Sequence, residues 1–124
     1  MFRYFNSNPT KNMRVGDCAV RAISKAFGIS WDEAYDILSD NAKQMGDMPD
    51  SKVVMTATLR QFGFFKETIP SACPDCFTIR DFCRENPIGT YILGTQTHVV
   101  TAINGDYYDV FDSGDEIVDC FWTR

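Results

Sequence analysis

The apolar positions in the first two-thirds of the chain recur at the spacing of an α-helix. From Asp17 to Phe27, apolar and small residues repeat every three or four positions, and Gly28 follows as a residue suited to end a helix. A second helix is predicted from Ser30, because Ser30 and Glu33 have the spacing of a capping box in which Glu33 reaches back to the Ser30 amide. The pattern therefore predicts two helices in close succession.

Two shorter helices are predicted further along. Asp50 or Ser51 can cap the first of them, and Thr78 with Asp81 can cap the second. Residues 1–16 are rich in turn-forming residues and are predicted to be irregular. The chain thus divides into a helical first two-thirds and a strand-rich last third.

From residue 89 onward the pattern changes to that of β-strands. Four strands are predicted, at residues 89–93, 98–103, 106–112 and 116–122. Asn104 and Gly105 suit a type I′ turn, in which both central residues need a positive φ, so the second and third strands are predicted to form an antiparallel hairpin. Helices followed by an antiparallel sheet predict an α+β fold, with residues 1–124 in a single domain.

Composition and charge exclude several classes of protein. With 44% hydrophobic and 23% charged residues, the chain is too apolar to be disordered. Its net charge of −5, without a basic patch, argues against a nucleic-acid partner. No apolar run approaches the ~18 residues of a membrane span, and the first residues do not resemble a signal peptide. We therefore expect no membrane partner and a cytoplasmic protein with reduced thiols.

Cysteine and histidine limit the chemistry that the chain can perform. The five cysteines are Cys18, Cys73, Cys76, Cys83 and Cys120, and the one histidine is His98. Any mechanism that needs an imidazole must therefore use His98. Cys73 and Cys76 form a CxxC pair, which suits structural thiols, a zinc site or a redox pair. Because zinc would need two further ligands and no second pair exists, we expect structural thiols, with neither a metal nor a cofactor.

Cys18 lies in the first turn of the first predicted helix. Unpaired backbone N–H groups at that end of a helix favour an anion, which lowers the pKa of a thiol there. The thiolate of Cys18 is therefore a candidate nucleophile for acyl transfer. The alternative interpretation is a buried structural cysteine, which is common for this residue type.

His98 opens the second predicted strand, and the hairpin indicates which carboxylate lies beside it. A two-residue turn at 104–105 makes residue 98 face residue 111, which places Asp112 diagonally beside His98. Asp109, about three residues nearer the turn, is the alternative acid. We expect Asp112 to orient the imidazole. A structural histidine and an ordinary acidic turn at 112–115 would also explain these residues.

Three segments resemble those of papain-like cysteine peptidases. The segment GDCAVRAI at 16–23 is similar to the nucleophile segment of that family, THVVTAING at 97–105 to its histidine strand, and YDVFDS at 108–113 to the strand of its third catalytic residue. The segments also follow one another in the family's order. The compact length and an Asp as the third residue resemble the bacteriocin-processing branch, and small proteins of this type recur in phages and in bacteria that carry prophages.

The resemblance implies a papain-like fold, with N-terminal helices packed on a C-terminal antiparallel sheet. It also implies a thiol-dependent hydrolase, a peptidase or amidase, in which Cys18 attacks a peptide or isopeptide bond with His98 as base and Asp112 as orienting acid. Asn12, six residues before Cys18, is the implied oxyanion-hole side chain. The implied partner is a peptide or protein substrate. The alternative is a catalytically inactive protein that keeps the fold and binds another protein, for example a phage accessory factor.

Overall fold

Helices and strands are combined in one α+β arrangement. The computed structural model describes residues 1–11, 14–69 and 77–124. Its helices are α1 (Cys18–Phe27), α2 (Trp31–Met45), α3 (Lys52–Gln61) and α4 (Ile79–Glu85). Its strands are β1 (Phe2–Tyr4), β2 (Phe65–Thr68), β3 (Thr90–Gly94), β4 (Val99–Ile103), β5 (Asp106–Asp109) and β6 (Cys120–Thr123). No helix in these ranges is long and apolar enough to cross a membrane.

Hydroxyl side chains begin α2, α3 and α4 close to where the sequence predicts. Ser30 Oγ accepts a hydrogen bond from the Glu33 N–H at 3.1 Å, and the Ser30 hydroxyl also lies 3.2 Å from the Glu33 carboxylate. Ser51, rather than Asp50, caps α3. The capping box predicted at the start of α4 is present. Local side-chain chemistry therefore sets these helix starts.

The six strands form one sheet in the order β1-β5-β4-β3-β6-β2. Neighbouring strands are antiparallel except β1 and β5, which run parallel, so the sheet is mixed rather than antiparallel throughout. Both edge strands lie outside the predicted strands, and β1 falls in the segment 1–16 that was expected to be irregular. These edge strands are short, and each pairs with a strand far away in the sequence, so local pattern does not reveal them.

The predicted hairpin between β4 and β5 is confirmed. Asn104 and Gly105 have φ values of 50° and 84°, as a type I′ turn requires. Ile103 pairs with Asp106, and the register continues along both strands. However, β5 ends at Asp109, whereas the sequence predicted a strand to residue 112. The shorter strand matters for the site described below.

Two hydrophobic clusters cover the two faces of the sheet. Residues of α1, α2 and α3 pack on one face, which includes Ile92 and Trp122, and α4 packs on the other, which includes Leu93. The Thr101 hydroxyl in β4 donates to the Ala22 carbonyl of α1 at 2.7 Å. This bond and the apolar packing hold the start of α1 against the sheet, where the candidate site forms.

Candidate active site

Cys18 is the first residue of α1 and is half-buried between that helix and β4. The His98 side chain and the backbone N–H of Val99 lie close enough to its thiol to lower the pKa of that thiol by hydrogen bonding. The structure thus brings together the two residues that the sequence selected as nucleophile and base. A thiolate here would accept hydrogen bonds from a protonated His98 and from the Val99 backbone N–H.

His98 immediately precedes β4, and its side chain is 10% exposed. Its Nε2 lies 2.6 Å from Oδ2 of Asp109. Since Nε2 is occupied by this carboxylate, Nδ1 is the ring nitrogen left to contact Cys18. The ring is therefore oriented between a thiol and an acid, the arrangement that a general base needs.

Asp109, the last residue of β5, has a side chain that is 1% exposed and fully hydrogen bonded. Oδ1 accepts from Nη1 of Arg21 at 3.0 Å and from the Val110 N–H at 2.8 Å. Oδ2 accepts from the Ser113 hydroxyl at 2.8 Å and faces His98. Four contacts on two oxygens leave this carboxylate one orientation.

The three groups shift one another's protonation. Burial alone would raise the pKa of the Cys18 thiol, but the hydrogen bonds from His98 and the Val99 N–H lower it below its usual value. Burial alone would lower the pKa of His98, but hydrogen bonds with Asp109 and Cys18 raise it to about 9. Burial opposes ionisation of Asp109 as well, yet the bond from His98 lowers the pKa of that carboxyl. These directions favour a thiolate beside an imidazolium.

Asp112 does not occupy the position that the sequence assigned to it. Its side chain is 51% exposed, and its carboxylate contacts the Tyr107 hydroxyl, Arg80 and the Gly114 N–H. Diagonal neighbours on one face of an antiparallel pair are two positions apart. Extending the observed register places residue 98 opposite 111, so the diagonal neighbour of His98 is residue 109. The alternative acid, Asp109, takes the orienting position.

Three residues singled out by the sequence fall in segments that the structure does not describe. Asn12, the expected oxyanion-hole side chain, and the CxxC pair Cys73 and Cys76 lie outside the described residues. The remaining cysteines, Cys83 and Cys120, are buried, and burial raises the pKa of both thiols. Within residues 1–11, 14–69 and 77–124, no three His, Cys, Asp or Glu side chains are grouped so as to hold a metal ion.

Two residues that contact the site were missed by the sequence reasoning. Arg21 is a charged residue on the buried face of α1, four positions after Asp17, and that spacing is a recognisable signal for an ion pair. Ser113 is buried behind Asp109. It follows the end of β5 in an acidic turn, and neither its position nor its type distinguishes it from a turn residue.

Phe111 covers the outer side of the imidazole. Its ring centroid lies 5.2 Å from that of His98, and the two ring planes are inclined by 37°. Phe111 itself is 47% exposed. An exposed aromatic ring placed over a nearly buried histidine excludes water from the hydrogen bond between His98 and Asp109.

A groove borders the loop that leads into His98. It has a volume of about 630 Å³, and its walls include Thr97 and the acidic residues Asp115, Glu116 and Asp119. Cys18, His98 and Asp109 are not among its lining residues, and one of its acidic side chains, Asp115, pairs with Arg80.

A scan against protein-family models, a search of curated proteins and a search of solved structures each find no match to this chain.

Proposed function

We propose that the protein is a thiol-dependent hydrolase with a papain-like fold, a peptidase or amidase that acts on a peptide or isopeptide bond. The observation that carries this proposal is the continuous set of contacts from Cys18 through His98 to Asp109. It joins a nucleophile, a base and an orienting acid, which are the three parts of a catalytic triad.

The reaction begins from the thiolate–imidazolium pair, in which the Cys18 proton has already passed to Nδ1 of His98. The thiolate attacks the carbonyl carbon of the scissile bond, and the electron pair of the carbonyl moves to its oxygen. When the tetrahedral intermediate collapses, His98 donates its proton to the leaving amine, and a thioester remains on Cys18. His98 then takes a proton from water as the water oxygen attacks the thioester carbonyl carbon. The second tetrahedral intermediate collapses with cleavage of the C–S bond, which releases the carboxylic acid and regenerates the Cys18 thiolate beside the protonated His98.

Asp109 supports both proton transfers without losing its own charge. Its Oδ2 accepts a hydrogen bond from the Nε2–H group, which keeps Nδ1 directed at Cys18 and stabilises the imidazolium. The start of α1 supports the anionic sulfur because its backbone N–H groups carry partial positive charge. The backbone N–H of Cys18 belongs to this helix end and is the donor that the family resemblance assigns to the oxyanion.

The papain-like assignment is supported by order as well as by contact. Cys18 begins a helix, His98 precedes a strand, and Asp109 ends the next strand of the same hairpin. This is the order in which papain-like peptidases carry their catalytic residues. Asp109 falls within the segment 108–113 that resembles the strand of the third residue, although the acid that the resemblance itself selects there is Asp112, which a small residue follows.

The test is turnover of a peptide and isopeptide library by wild type, Cys18→Ser and His98→Ala. We expect both variants to lose activity, because serine ionises far less readily than cysteine and the chain contains no second histidine. The double variant should be little worse than either single one, since the residues act as a unit. Cys83→Ser is the matched control, because it replaces a buried thiol in α4 that lies outside the triad.

Activity that survives in Cys18→Ser would contradict the proposed nucleophile. If wild type turns over nothing and Cys18 reacts with iodoacetamide as slowly as an ordinary thiol, the inactive protein-binding alternative replaces this proposal. Alkylation of Cys18 needs no substrate, so it tests the activated thiol directly.

A further inference from the structure

A buried cation lies beside the triad. Arg21 belongs to α1, one helical turn after Cys18, and its side chain is 9% exposed. Its Nε donates to Oδ1 of Asp17 at 2.9 Å, and its Nη1 donates to Oδ1 of Asp109 at 3.0 Å. One guanidinium therefore bridges two carboxylates, one at the start of the nucleophile's helix and the other at the end of β5.

The Asp17 side chain bonds to Arg21 and does not cap α1. It occupies the N-cap position of α1, yet its side chain makes no capping hydrogen bond. Oδ2 instead accepts from Nε1 of Trp31 at 2.9 Å and from Nδ2 of Asn8 at 3.2 Å. Residues from the N-terminal segment and from α2 thus hold Asp17 in place, and Asp17 in turn holds Arg21.

Arg21 supplies the charged contact that orients the Asp109 carboxylate, alongside the Val110 N–H on Oδ1 and the Ser113 hydroxyl on Oδ2. The guanidinium contacts Oδ1, which leaves Oδ2 for His98. A planar guanidinium has directed donors that can serve two carboxylates at once, whereas a lysine ammonium is a point charge without that fork. The positive charge also lies on the same helix as Cys18 and contributes to lowering the pKa of its thiol.

We propose that Arg21 is a positioning residue of the triad, which fixes the Asp109 carboxylate toward His98 and, with Asp17, ties the helix of Cys18 to β5. This inference rests on the proposed function, because positioning affects chemistry only where Cys18 and His98 form an ion pair. An ion pair with a merely structural role would stabilise the fold and leave the titration of Cys18 unchanged.

The test is the rate of iodoacetamide alkylation at Cys18 as a function of pH, followed by mass spectrometry of the peptide that contains it. In Arg21→Met we expect the midpoint of this curve of alkylation rate against pH to rise by about one pH unit. The variant loses both a positive charge near Cys18 and the alignment of Asp109. Arg21→Lys should shift the midpoint in the same direction by less, since it keeps the charge and loses the fork.

The matched control is Ser24→Ala. Ser24 is also buried in α1, where its hydroxyl donates to the Ile29 carbonyl at 2.7 Å, outside the triad. This variant should lose stability and keep the wild-type midpoint. If Arg21→Met does not fold, the alkylation midpoint of Arg21→Lys is the test. In an Asp109→Asn background, Arg21→Lys should add no further shift, because its effect passes through Asp109.

An Arg21→Lys midpoint equal to that of wild type overturns this inference, and it leaves the proposed function standing. A further shift by Arg21→Lys in the Asp109→Asn background overturns it as well. A wild-type Cys18 that titrates near the ordinary thiol value of about 8.5 overturns both proposals together. The two failures are therefore distinguishable in one set of measurements.

Discussion

Nε2 of His98 and Oδ2 of Asp109 are 2.6 Å apart, and this contact fixes which ring nitrogen of His98 remains available to Cys18. Because Asp109 holds Nε2, the other ring nitrogen is directed at Cys18. The side chains of both residues are nearly buried, so the contact is little weakened by water. The carboxylate that contacts the imidazole is therefore that of Asp109, and the orienting role that we propose for it can be measured.

Asp109→Asn should lower kcat/KM by about 10²–10⁴-fold, because an amide can present its NH₂ group to His98 and favour the wrong tautomer. Asp112→Asn should have little effect, since that carboxylate is half-exposed and bonds to Tyr107 and Arg80. Kinetics on a substrate from the peptide library would compare the two variants, with thermal unfolding to establish that both are folded. A larger loss in Asp112→Asn would contradict the assignment.

The activity should have an upper pH limit set by His98. The thiolate–imidazolium pair exists above the lowered pKa of Cys18 and below the pKa of His98, which is raised to about 9. Activity should therefore fall as the pH rises through about 9, because His98 can then no longer protonate the leaving amine. As the sole histidine, His98 gives an unambiguous NMR titration. A midpoint near 6.5 would be incompatible with the buried ion pair.

Much of the site could be predicted because its signals are local. Asn104 and Gly105 set the hairpin turn, and the turn sets which positions face one another. Cys18 lies at a helix start, as the pattern predicts, and His98, predicted to open the strand, lies one residue before it. The prediction of Asp112 as the orienting acid was wrong for a reason of strand geometry. Residue 112 is one position from residue 111, the residue opposite His98, and so points to the other face of the strand, whereas residue 109 is two positions away and shares the face.

The rest depends on contacts between distant parts of the chain. The strand β1 forms only because β5 offers a parallel partner more than a hundred residues away. Arg21 has the same sequence signature as a solvent-exposed ion-pair residue, and only the fold shows that its partner is Asp109. Tertiary packing, rather than local propensity, decides both features.

The hairpin turn can be tested through stability. Gly105→Ala should lower the free energy of unfolding by about 1 kcal/mol, because φ at this position is +84° and a side chain there is strained. Crowding adds little, since the nearest atom to an added Cβ is 3.6 Å away. Gly16→Ala is the control, because Gly16 has no positive φ and open space around it. Chemical denaturation measures the free energy of unfolding of both variants. An equal loss in Gly105→Ala and Gly16→Ala would contradict the role of the positive φ at Gly105.

Phe111→Ala should weaken the hydrogen bond between His98 and Asp109 without removing either partner. Burial alone lowers the pKa of His98, but its contacts with Asp109 and Cys18 outweigh burial and raise it to about 9. The Phe111 ring lies 5.2 Å from the imidazole, so its loss admits water that screens those contacts, and because they are the dominant effect the pKa of His98 should move from about 9 toward 6.5. We expect activity to fall about tenfold, because a less fixed imidazole is a poorer base. Phe65→Ala removes a similarly exposed ring from β2 and should change neither quantity. An NMR titration of His98 in Phe111→Ala that matches wild type would refute the shielding role.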